Sequence, residues 1–126
     1  MILYHGTSER RLDTIRTENR LTATGLSPAV CLSTRIGPAK YWANISAWTD
    51  NSEPFVLRLM AKPLLEAGFT LMPFSDPVWG RGECDWEREV RVEEDIHPLS
   101  DFLKRFDRVP WDADLKNCPR NIRSRA

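Results

Sequence analysis

The sequence predicts an α+β domain on a mixed, mainly antiparallel sheet with a few flanking helices, and three features carry that expectation. Residues 87–93, Glu87-Arg88-Glu89-Val90-Arg91-Val92-Glu93, alternate polar and apolar side chains with the period of two that a half-buried strand requires. Ser8 stands directly before a stretch in which Leu12 and Ile15 fall on one helical face, so it reads as a helix N-cap. Strand-like and helix-like segments do not alternate regularly, which disfavours a doubly wound parallel sheet.

Taken in order, Ile2-Leu3-Tyr4-His5 reads as a short first strand ending at Gly6, followed at once by a helix from Glu9 to about Glu18. The apolar run Ala29-Val30-Cys31-Leu32-Ser33, bounded by Pro28 and Thr34-Arg35, is expected to be a buried strand. Pro38 suits a first helical turn, and Ala39, Trp42, Ala43, Ile45, Ala47 and Trp48 continue it as a second helix. Residues 55–61 follow Pro54 with strand composition, and 68–72 suggest another strand before Pro73. Pro77, Gly80 and Gly82 mark 73–86 as a long loop, a class of segment that is usually functional or disordered. Ser100 is expected to cap a last helix through about Phe106, with Phe102, Leu103 and Phe106 as its apolar stripe.

With 126 residues and 41% hydrophobic content the chain suits one domain, assigned to residues 1–116, with a frayed basic tail at 117–126. Such a domain buries roughly 65% of its unfolded surface and needs no metal or disulfide staple. Cys31, Cys84 and Cys118 are odd in number and contain no CxxC pair, so reduced thiols are expected and a cysteine zinc site is not. No run of about 18 apolar residues and no leader-like start is present, from which a soluble, cytoplasmic protein with no membrane partner is expected. Eighteen Lys and Arg against eighteen Asp and Glu argue against coating nucleic acid by charge alone. The distribution is uneven, at +2 over 1–60, −5 over 61–100 and +3 over 101–126.

Three places could carry chemistry. His5 followed by Gly6 and Thr7 puts an imidazole beside backbone that a flat ligand can approach, although the plain account is a turn after an edge strand with a partly buried, hydrogen-bonded histidine. Tyr41 lies among small residues, Gly37 and Ala39, and either packs in a core or stacks on a planar ring. Glu87 and Glu89 project from one face roughly 7 Å apart, as solvated carboxylates or as a pair that stabilises charge at a sugar C1 and handles a proton. A thiol protease dyad of a cysteine with His5 or His97 has no supporting local sequence, no compact metal-ligand spacing occurs, and neither a P-loop nor GxGxxG is present.

In order along the chain, Leu3-Tyr4-His5-Gly6-Thr7, Gly25-Leu26, Val30-Cys31-Leu32-Ser33-Thr34, Ala39 with Tyr41, Glu89-Val90-Arg91-Val92 and Ile96-His97-Pro98 resemble the short motifs of the ADP-ribosyltransferase superfamily. The resemblance covers about residues 1–48 and 84–99. It implies a split sheet and NAD as co-substrate without a metal. His5 would bind the adenosine ribose, Gly6 would offer its backbone to the nicotinamide carboxamide, Thr7 would lie at the cofactor, Ser33 would belong to the cofactor strand, and Tyr41 would stack on nicotinamide. Glu89 would stabilise the oxocarbenium ion as nicotinamide leaves, with Glu87 orienting or deprotonating the acceptor. Two departures stand out: no tyrosine lies on the Cys31-Leu32-Ser33 strand, and His5 occurs together with Ser33 and a Glu87-x-Glu89 pair that resemble a different subgroup. The implied activity is mono-ADP-ribosylation of a protein or nucleic acid, as in a bacterial or phage toxin or effector countered by an antitoxin or inhibitor. The alternatives are an NAD glycohydrolase, a noncatalytic nucleotide- or protein-binding module using Trp79, Trp86 and Trp111, and a hydrolase built on Glu87 and Glu89.

Overall fold

The computed structural model describes residues 1–73 and 89–112, which form a six-stranded sheet flanked by helices. Strand β1 (Ile2–Ser8) leads into α1 (Glu9–Glu18), β2 (Val30–Ser33), α2 (Ile36–Asp50), β3 (Pro54–Met60), α3 (Ala61–Glu66), β4 (Met72–Pro73), β5 (Glu89–Val92), a 3₁₀ turn (Leu99–Asp101) and β6 (Leu103–Arg108). The sheet order is β4-β5-β2-β1-β3-β6, and every described pairing is antiparallel, so the expected parallel component is absent among the described residues.

Several elements follow directly from local sequence. Ser8 has extended backbone and accepts the Arg11 N–H at 3.2 Å, fixing the start of α1, while Asn19 closes the helix in a left-handed conformation. β5 presents Val90 and Val92 beside Leu32 and Val30, and the sheet's main core gathers Leu3, Leu57, Leu59 and Val92 against Leu12, Leu64, Ile96 and Leu99. Ile96 exchanges backbone hydrogen bonds with Leu21 at 2.9 and 3.0 Å, anchoring the segment after β5.

Other expectations change. β1 does not stop at Gly6 but continues through Ser8, paired with β3 at every position, and it is a central strand rather than an edge. α2 keeps Pro38 in its first turn as expected, beginning at Ile36. The strand expected at 68–72 contracts to Met72–Pro73, and α3 forms where strand composition suggested β3 would continue to Ala61. The helix expected from Ser100 to Phe106 is instead the 3₁₀ turn followed by β6, whose residues complete the exposed side of β3: Phe106 lies opposite Leu57 and Arg105 opposite Arg58. Hydrogen bonding to a waiting sheet edge outweighs a weak local helical pattern. The long loop at 74–86, with Cys84, and the tail at 117–126, with Cys118, lie outside the described residues.

The join between the two halves of the sheet is narrow. β1 pairs with β3 at seven positions but with β2 at one, Tyr4 opposite Ser33. On one side of this junction α2 packs so closely that a Cβ on Gly6 would lie 2.0 Å from the Ala39 carbonyl oxygen and 2.7 Å from the Ala43 nitrogen. Gly6 is therefore required by helix-on-strand contact, a reason different from ligand access.

Candidate functional site

Antiparallel registry gathers the polar residues of β2 and β5 on one face. Ser33 lies opposite Glu89 and Cys31 opposite Arg91, while Val30, Leu32, Val90 and Val92 occupy the alternate positions. Because Tyr4 is also opposite Ser33, a single cross-strand row runs Glu89, Ser33, Tyr4 and then Arg58, whose guanidinium lies 5.5 Å from the Tyr4 ring centroid. With roughly 4.8 Å per strand step, the backbones of Glu89 and Tyr4 are about 10 Å apart.

His5 occupies the seam just past this row. Its Nδ1 lies 2.9 Å from the Cys31 carbonyl oxygen. A carbonyl only accepts, so Nδ1 carries the proton in the neutral ring and Nε2 is left as an acceptor. Burial lowers the imidazole pKa, the bond to the Cys31 carbonyl acts in the opposite sense, and the positive charge of Arg11 lowers it again, leaving it below the ordinary 6.5. His5 is thus the half-buried, hydrogen-bonded histidine of the plain account, next to the Tyr4–Ser33 pair that joins β1 to β2.

Glu89 and Arg91, two residues apart on β5, share the polar face, with Arg91 Nε 3.5 Å from Glu89 Oε2 and side chains 20% and 24% exposed respectively. The Cys31 thiol is pushed up by burial and by the Glu89 charge, against hydrogen bonding and charge from Arg91 that pull it down. Ser33 is buried and its Oγ accepts the Arg35 N–H at 3.1 Å, the hydroxyl closing the turn that leads into α2. Sequence reasoning passed over Cys31 and Arg91 as members of this group. The signal was available, since the period of two that paired Glu87 with Glu89 places Arg91 on the same face.

The remaining candidates lie elsewhere. Thr7 is 2% exposed, opposite Phe55. Tyr41 is also 2% exposed and makes an edge-on contact with Trp42 at 5.2 Å between centroids. At about 100° per residue it projects from the side of α2 opposite the Ala39 and Ala43 ridge that meets Gly6. Glu87, Trp79 and Trp86 lie outside the described residues, and Trp111 is half exposed, donating its indole N–H to Glu53 at 2.9 Å. Among the described residues no group of three or more His, Cys, Asp or Glu could hold a metal ion, and no helix is long and apolar enough to cross a membrane.

Among solved structures, the chain is similar to the X-ray crystal structure of protein CC0527 from Caulobacter crescentus, with 19% identity, a TM-score of 0.60 and 90% of each chain covered; a double mutant of that protein matches to the same degree. At this identity the likeness concerns the fold. No protein-family model and no curated protein matches the chain.

Proposed function

We propose that this protein is an NAD-dependent mono-ADP-ribosyltransferase acting on a protein or nucleic-acid acceptor. The observation that carries the reading is the meeting of three separate stretches of sequence at the β1–β2 junction: Glu89 stands opposite Ser33, Ser33 opposite Tyr4, and His5, the next residue of β1, reaches across the junction to the Cys31 carbonyl. These residues fit the co-substrate in chemical type. The Nε2 of His5 can accept from a ribose hydroxyl, the Ser33 hydroxyl can donate to a carboxamide oxygen, and Glu89 supplies negative charge. Tyr41 fits less directly, because its ring offers a stacking face only once uncovered.

In this scheme the bond between the nicotinamide nitrogen and ribose C1′ breaks with its electron pair going to nicotinamide, which leaves neutral. The positive charge that develops on the ribose faces the Glu89 carboxylate, so stabilisation is greatest near the transition state. A nucleophile of the acceptor then bonds to C1′ and loses its proton, a role that falls to Glu87 or to water. Attack by water instead gives the glycohydrolase sub-case. The buried Tyr41 is the observation favouring the second reading, a noncatalytic binding module.

The test is incubation with labelled NAD and cell lysate divided by nuclease and protease treatment, using wild type, Glu89→Gln and His5→Ala. Label fixed on protein or nucleic acid by wild type alone supports the transferase and reports the acceptor class. Free ADP-ribose without labelled acceptor identifies the glycohydrolase, and undiminished NAD with no label removes the catalytic reading.

A further inference from the structure

We infer that Arg91 is a positioning residue for Glu89, holding its carboxylate ionised and fixed on the polar face of β5. The inference rests on the reading of Glu89 as the carboxylate that meets the developing ribose cation. Its geometric basis is the 3.5 Å approach of Arg91 Nε to Glu89 Oε2 between side chains that are both at least three-quarters buried. β5 is flanked by β2 and β4, and Arg91 stands between Cys31 on one side and Met72 on the other, so the pair belongs to the sheet's interior rather than to an edge. Cys31, an exposed residue opposite Arg91 on β2, lies on the same polar face as the pair.

A carboxylate so placed faces two difficulties. Partial burial disfavours its ionised form, and a glutamate side chain has rotamers to lose before it presents one geometry. A guanidinium two residues along the same strand addresses both by charge: at 3.5 Å it is an ion-pair contact rather than a hydrogen bond, and it favours both the ionised carboxylate and the rotamers that keep it close. Ser33 and Cys31 from β2 face Glu89, and Arg91 from its own strand brings a cation to it.

The experiment is a carbon-detected NMR titration of the Glu89 carboxyl in the full chain, as wild type, Arg91→Met and Arg91→Lys, with NAD consumption followed against pH on the same samples. The expected result is a Glu89 titration moved up by about one pH unit or more in Arg91→Met and largely restored in Arg91→Lys. The acid limb of kcat/KM should follow by the same amount, with kcat about tenfold lower or more and KM little changed. A merely structural role would lower the unfolding midpoint without moving that limb. An unmoved Glu89 titration in Arg91→Met overturns the inference, as does turnover that matches or exceeds wild type. A titration that moves in a protein whose wild type consumes no NAD upholds the pairing and removes the transferase reading instead. Should Arg91→Met not fold, Arg91→Gln provides the same comparison.

Discussion

Replacing Gly6 by alanine tests the tightest contact near the candidate site. The added Cβ would meet the Ala39 carbonyl oxygen at 2.0 Å, the Ala43 nitrogen at 2.7 Å and the Ala39 carbonyl carbon at 3.0 Å. All three are helix backbone, so relief requires α2 to move away from β1 by roughly 1 Å or more, since ordinary non-bonded contacts lie near 3.5 Å. Overpacking of this kind costs about 1 to 3 kcal/mol, occasionally more, and the immovable character of the neighbours puts this site at the upper end. The smaller conformational entropy of an unfolded alanine returns about 0.4 to 1 kcal/mol, leaving a net loss of about 2 kcal/mol. With m near 1 to 3 kcal/mol per molar urea, the midpoint should fall by about 0.7 to 2 M in equilibrium unfolding followed by circular dichroism. Gly37→Ala is the control, because nothing lies within 4 Å of its Cβ and its place in the first turn of α2 makes alanine neutral or stabilising by up to about 1 kcal/mol. A Gly6→Ala midpoint within experimental error of wild type would refute the close approach of α2 to β1.

Further tests reach other parts of the molecule. Ser8→Ala removes both the cap to the Arg11 N–H and a 2.5 Å hydrogen bond to Asp50, and should cost about 1 to 2 kcal/mol in urea unfolding. Asn44, 1% exposed, donates to the Lys40 and Pro110 carbonyls and accepts from the Asp112 N–H; Asn44→Ala should cost about 1 to 3 kcal/mol and speed amide exchange at Asp112. The folded pKa of His5 lies below 6.5, so the unfolded chain binds more protons in between; its contribution to stability is full above 6.5 and is lost as pH falls toward the folded value. Unfolding midpoints for His5→Gln should show a shallower decline through that window. Asp50 has the carboxylate version of the same sign. Desolvation raises its pKa, but hydrogen bonds from Ser8 and Arg11 and the charges of Arg11 and Arg10 outweigh it, so stability should be retained down to about pH 4 and lost below, an effect that Asp50→Asn removes.

How much was legible depended on whether the deciding interactions were local. The start of α1 could be placed to the residue and its end nearly so, because Ser8 caps Arg11 three positions away and the stripe of Leu12 and Ile15 needs no distant partner to be seen. β5 was legible because alternation is a property of the strand itself, and the same alternation contained the Glu89 and Arg91 pair. β6 was not: Leu103–Arg108 acquires its strand form from β3, some 50 residues earlier, and no local feature of that stretch announces an open edge there. α3 is six residues long and contains Pro63, too short to display a helical period.

The candidate site divides along the same line. From the sequence alone came the list of residue types, a histidine before glycine, a serine strand, a helical tyrosine and a glutamate on an alternating strand. Only the tertiary structure decided which of them meet. Registry set Ser33 opposite Glu89 and Tyr4 opposite Ser33, turning three remote stretches into one row, while the angle around α2 sent Tyr41 away from the ridge that packs on Gly6. A strand's periodicity fixes which face a side chain takes, but its neighbour across the sheet is fixed by pairing between distant segments, and that information is not contained in either segment by itself.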